Sequence, residues 1–78
     1  MQIEPYNIWV AVTPSDTVDL PRLTDAVYAG SNGVIAAVEQ DGSVVDFHCV
    51  TGVVIPIAAK RINSTNTTAS NLVALYRQ

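Results

Sequence analysis

What this 78-residue sequence lacks narrows its chemistry before any motif is read. It has one cysteine, Cys49, and one histidine, His48. A lone cysteine closes no internal disulfide. Without repeated Cys or His spacing no zinc site is predicted either, so neither kind of cross-link supplements the core. Charge is also scarce, at 14% of residues against roughly 25% in an average soluble domain. The bases are Arg22, Lys60, Arg61 and Arg77. Set against seven carboxylates they leave a net charge of -3 and no basic stripe for a phosphate backbone, so nucleic acid is not an expected partner. No stretch approaches the roughly 20 apolar residues of a membrane span. Met1 to Tyr6 holds a Glu and a Pro but no basic region leading into an apolar run, so neither a signal peptide nor a membrane anchor is predicted. Gly-rich phosphate loops and a G-x-S-x-G elbow are missing as well.

What is present is apolar and β-branched. Hydrophobic residues make up 49% of the chain, mostly Val and Ile among the aliphatics, with seven threonines and a turn signal about every ten residues. This pattern predicts an all-β fold, a small antiparallel sandwich or barrel of about six short strands. A domain of this size buries only roughly 60% of the surface its unfolded chain exposes. Its own core is therefore marginal, apolar surface is left for a neighbour, and oligomerisation is the expected way to stabilise it.

The clearest unit is a hairpin at residues 33–49, where two β-branched segments flank Gln40-Asp41-Gly42-Ser43. Asp-Gly favours a two-residue type I′ loop. That loop would set Val38 against Val45, Ala36 against Phe47 and Val34 against Cys49 on an apolar core face. Ile35, Ala37 and Glu39 would then share the other face with Val44, Asp46 and His48. Residues 8–12 and 25–29 read as strands, the latter in preference to a short helix beginning at Pro21. Residues 53–62 are strand-like but interrupted by Pro56, which suits two short strands. Residues 63–71 form a polar loop, and residues 72–76 a last strand that returns to the sheet. The glycosylation-like triplets at Asn63 and Asn66 are expected by composition alone in such a loop. Residues 1–11 are read as an N-terminal segment with a partner-docking role and residues 12–78 as a single β domain.

Candidates for chemistry are few. His48 and Cys49 are adjacent on a strand and point to opposite faces, so they form no Cys-His pair. Asp46 and His48, with Glu39, make an incomplete metal shell. Asp16, Asp19 and Asp25 cluster without EF-hand spacing and are explained by turn chemistry. No catalytic residue, cofactor or metal site is assigned, and the chain is not expected to be an enzyme. Tyr6 and Trp9 either pack into the chain's own core or anchor a partner, as Trp and Tyr do at interfaces.

The string Val12-Thr13-Pro14-Ser15-Asp16-Thr17-Val18-Asp19-Leu20-Pro21-Arg22 resembles a segment of the head spike base proteins of tailed phages and gene transfer agents. In that family an Ala-Leu-Tyr-Val-Gly-like strand follows, matched by Ala26-Val27-Tyr28-Ala29-Gly30, and then a hairpin with an Asp-Gly or Gly-rich turn. Val54-Ile55-Pro56-Ile57-Ala58-Ala59-Lys60-Arg61 and the ending Thr67-Thr68-Ala69-Ser70-Asn71-Leu72-Val73-Ala74-Leu75-Tyr76 also fit, while the N-terminus is shorter than the family's docking arm would need. The resemblance implies a virion protein on the outer surface of the particle, a homo-oligomeric ring that joins the major capsid protein to a spike or fibre protein. Tyr6, Trp9, Pro14, Asp16, Leu20 and Pro21 are the expected interface residues. Two alternatives stand beside it: a capsid decoration (cement) protein without a fibre, and a small glycan or receptor binding module that uses Tyr6, Trp9 or Tyr28 as a stacking platform.

Overall fold

The structure is a computed structural model and describes residues 6–77. The first five residues of the expected docking segment, and Gln78, lie outside the described residues. Short apolar segments rich in β-branched residues form seven strands: β1 (Ile8–Ala11), β2 (Ala26–Tyr28), β3 (Gly33–Val38), β4 (Val44–Cys49), β5 (Val54–Ile55), β6 (Arg61–Ile62) and β7 (Val73–Tyr76). All pair antiparallel, in one sheet of order β1-β7-β2-β5 (sheet A) and another of order β4-β3-β6 (sheet B). The expected all-β antiparallel architecture is what forms, as two sheets and with seven short strands where about six were expected. No helix among the described residues is long and apolar enough to cross a membrane.

The returning strand is the centre of sheet A. β7 pairs with β1 on one side, Trp9 opposite Leu75, and with β2 on the other, Val27 opposite Ala74. Residues 53–62 divide on either side of Pro56 into β5 and β6, which belong to different sheets. A proline lacks the amide needed to continue a ladder, so the chain crosses between sheets there.

The hairpin forms at Gly33 to Cys49, but its register differs from the sequence reading by one residue. Ile35 faces Phe47, Ala37 faces Val45 and Gly33 faces Cys49. Glu39 N–H donates to Ser43 O (2.8 Å) and Gly42 N–H to Glu39 O (3.0 Å), so the loop has three residues, Gln40 to Gly42. Gly42 adopts φ 95°, the left-handed residue that follows a type I turn in a three-residue hairpin. The Asp41 carboxylate accepts the Ser43 N–H (2.9 Å), a bond that fixes this turn and lowers the Asp41 pKa. The extra loop residue leaves the faces of β4 as expected and exchanges those of β3. Ile35 and Ala37 take the core positions expected for Ala36 and Val38, and Val45, expected in the core, is 42% exposed.

The shared core lies between the sheets and contains Val27, Ala29, Ile35, Ala37, Cys49, Ile62 and Leu72, with Val12, Leu20, Phe47 and Ile57 packed against it. Thr24 is the buried polar residue among those described. Its hydroxyl donates to Ile57 O (2.7 Å) and accepts the Ala59 N–H (2.9 Å), which ties the entry of β2 to the chain between β5 and β6.

The polar loop does more than connect β6 to β7. Thr67 Oγ1 accepts the Ala36 N–H (2.9 Å) and Thr68 Oγ1 the Val34 N–H (2.9 Å), while the Asn63 and Thr68 amides donate to Ala36 O and Val34 O (both 2.9 Å). The threonine hydroxyls stand in for strand carbonyls and extend the pairing of β3 beyond the two residues of β6. The turn after Thr13 caps β6 in the same way. Ser15 N–H donates to Ile62 O (2.9 Å) and Leu20 N–H to Lys60 O (2.8 Å), while Arg61 pairs with Asp19 (3.0 Å).

Candidate functional site

Alternation along each strand sorts the residues of sheet A into two faces. Val27 and Ile55 turn inward to the shared core, so their neighbours turn outward. The register then sets out two rows on the outer face: Trp9, Leu75, Ala26, and Ala11, Val73, Tyr28, Val54. Every member is apolar apart from the Tyr28 hydroxyl. Trp9 is 72% exposed and Val54 43%. The indole N–H of Trp9 already donates to Tyr6 O (2.6 Å), so what the ring offers to a neighbour is its apolar surface. Leu75, Val73 and Tyr28 are half-buried and Ala26 is buried, so the exposed apolar surface lies at the two ends of the sheet, at Trp9 and Val54.

The six expected interface residues divide between the surface and the fold. Trp9 and Pro21 are exposed, while Tyr6 and Pro14 are half-buried. Leu20 packs against the core. Asp16 is exposed but occupied: its carboxylate accepts the Thr65 hydroxyl (2.6 Å) and the Thr65 N–H (2.9 Å), and these bonds hold its pKa below the usual carboxylate value. Tyr28, the remaining member of the stacking platform, stands two strands from Trp9 with β7 between them. Leu75, Val73 and Val54 were not singled out in the sequence. The segment Val73-Ala74-Leu75-Tyr76 is apolar at every position and carries no alternation from which its faces could be read.

The residues considered for chemistry are kept apart or otherwise engaged. Cys49 is buried with its thiol directed at Gly33 O (3.4 Å) and Ser31 O (3.7 Å), and His48 is exposed on the opposite face. In the observed register Glu39 falls on the core-side face of the hairpin and lines a shallow, mainly apolar pocket of about 230 Å³ with Val45, Phe47 and Ile57. It therefore leaves the face that carries Asp46 and His48. The three aspartates go to three partners: Asp16 to Thr65, Asp19 to Arg61, and Asp25 to the Arg77 amide. Among the described residues no group of three or more His, Cys, Asp or Glu comes together.

No protein-family model and no curated protein matches the chain. Among solved structures it is similar to a chain of the "Capsid of native GTA particle computed with C5 symmetry", GTA being a gene transfer agent. The TM-score is 0.84 and the identity 28%, over 91% of this chain and 83% of that one. Agreement of that extent in both backbone and sequence supports a capsid-related protein.

Proposed function

We propose that this chain is a virion structural protein, a homo-oligomeric ring that attaches a spike or fibre to the outside of a phage-type capsid. The observation that carries the virion role is the likeness, across nearly the whole chain, to a chain of a gene transfer agent capsid. The bare outer face of sheet A supports a role exercised through contacts, because its exposed tryptophan and valine gain from burial against a neighbour. Tyr6 and Trp9 belong to this contact surface, and Pro14 and Pro21 to a second one on the turn beside β6. Asp16 and Leu20 serve it by holding the turn that carries Pro14 and Pro21 against β6 and the core. The spike-bearing role rests on the resemblance of the segment from Val12 to Arg22.

The test is co-sedimentation of the purified protein with particles that lack it, followed by counting copies in the recovered particle. A spike base is expected to be scarce relative to the major capsid protein, and equal copy number would give the cement role instead. The variant Trp9→Ser is expected to fold with unchanged stability and lose binding. Undiminished binding by that variant would remove sheet A from the contact.

A further inference from the structure

The two sheets have four edge strands, and the fold treats those of sheet B unequally. The β6 edge is covered by Ser15 and Leu20, whose amides donate to Ile62 O within it and Lys60 O just before it, and by the Arg61–Asp19 pair. β4 has no such cover. It is the outer strand of its sheet, six residues long, with neither proline nor lysine, the residues that guard exposed edges.

The backbone phase of that edge follows from the hydrogen bonds of β3. Val34, Ala36 and Val38 direct their groups toward the polar loop and β6. Gly33, Ile35 and Ala37 therefore face β4 and bond Cys49, Phe47 and Val45, their opposite residues. The N–H and C=O groups of Val44, Asp46 and His48 point away from the sheet, and no backbone group among the described residues takes them up.

We propose that two copies of this chain pair edge to edge through β4, antiparallel about a two-fold axis at Phe47, so that Asp46 of each copy meets His48 of the other and the two B sheets become one six-stranded sheet. The occupant is a second copy because the edge is complementary to itself. Among two-fold registers that keep the outward groups in phase, the neighbouring ones set either Asp46 against Asp46 or His48 against His48. The register centred on Phe47 sets the carboxylate against the imidazole twice. It also sets Val44, 49% exposed, opposite Val50, 62% exposed, and Val45 opposite Cys49. A carboxylate opposite an imidazole is a hydrogen-bonded pair at any charge state in which the imidazole keeps a proton, and like charges directly opposite are unfavourable. The contact is isologous. It uses sheet B, away from the exposed face of sheet A, and does not depend on the particle reading.

Sedimentation equilibrium of the full chain, up to millimolar concentration, tests the pairing with two exposed substitutions. His48→Glu sets carboxylate against carboxylate, and Asp46→Lys sets an ammonium against the imidazole. Each variant alone is expected to dimerise roughly tenfold or more weakly than the native chain, from two unfavourable cross-strand pairs per dimer. An equimolar mixture is expected to form the heterodimer, since one pair becomes Lys against Glu and the other is the native pair. Circular dichroism shows that both variants keep the fold. A native chain that stays monomeric overturns the proposal. So does a dimer, or a larger assembly, that both variants form as well as the native chain, or a mixture that fails to restore association.

Discussion

Replacing Thr24 by valine removes one hydroxyl from a site that otherwise keeps its shape. Thr24 is 2% exposed, and its Oγ1 sits between Ile57 O at 2.7 Å and the Ala59 N–H at 2.9 Å. Valine keeps the branching and nearly the volume, so no cavity term enters. Two hydrogen bonds are lost: the one to Ile57 O is worth about 1 kcal/mol net, and the other leaves the buried Ala59 amide without a partner, at about 1–3 kcal/mol. The expected loss is about 2–4 kcal/mol. A 78-residue domain has a total stability of about 4–12 kcal/mol. In urea, with a slope near 1 kcal/mol/M for a chain this small, the midpoint should fall by about 2 M or more. Thr24→Ser keeps the hydroxyl and loses a methyl, at about 1 kcal/mol, and should be the milder variant. Thr51→Val, at an exposed site where only the 3.3 Å contact to Asn32 is lost, should stay within about 0.5 kcal/mol of the native chain. If Thr24→Val unfolds at the same urea concentration as the Thr51 control, or if serine proves worse than valine, packing rather than hydrogen bonding holds this junction and the reasoning fails.

Two further outcomes are expected. Gly42 has φ 95° and open space around the position of a Cβ, so Gly42→Ala should cost only the backbone strain of about 1 kcal/mol. At Gly30 a Cβ would lie 2.5 Å from both Cβ and O of Asn71, so Gly30→Ala should unfold at distinctly lower urea than Gly42→Ala, and the reverse order would place the steric limit elsewhere. For Asp16 the folded pKa lies below the ordinary value of 3.8, chiefly through the Thr65 hydroxyl and amide. Its contribution is fully present above that value and lost as pH falls through the folded pKa, so native and Asp16→Asn proteins should differ most near neutrality and converge in acid. A difference that grows on acidification would contradict that sign.

Much of this fold could be read because strong local signals agree with it. β4 alternates Phe47 and Cys49 with Asp46 and His48, which fixes its two faces from the sequence alone. Pro56 divided its segment as a residue without an amide must. The faces of β3 were not legible for a reason that lies in its sequence: Val34-Ile35-Ala36-Ala37-Val38 has no polar member to say which side is in. Its orientation depends on the turn, and Asp-Gly supports both a two-residue loop and a type I turn with glycine third. A difference of one loop residue decides whether Ile35 or Ala36 meets Phe47. The threonine loop was opaque in another way, because hydroxyls that replace strand carbonyls at Val34 and Ala36 have no periodic signature.

The distribution of side-chain size explains why the surface was harder to read than the core. Seven alanines, at positions 26, 29, 36, 37, 59, 69 and 74, are buried, while Trp9, Val18, Val44, Val45, Val50 and Val54 are exposed. Ala29, Ala37, Ala59 and Ala69 in the shared core let the two short sheets approach closely, but each contributes little apolar area to stability. Large apolar residues outside add nothing until a second surface covers them. Patterning rules that send the largest hydrophobes inward therefore assign Val45 to the core and find no role for Val44, Val50 or Val54. The same inversion links the chain's composition to the proposed role: Trp9, Val44, Val45, Val50 and Val54 stand exposed on or beside the strands, and in the proposed assembly neighbours would cover them. Under that proposal, stability should rise with assembly, and a native chain whose urea midpoint does not change with protein concentration would argue against it.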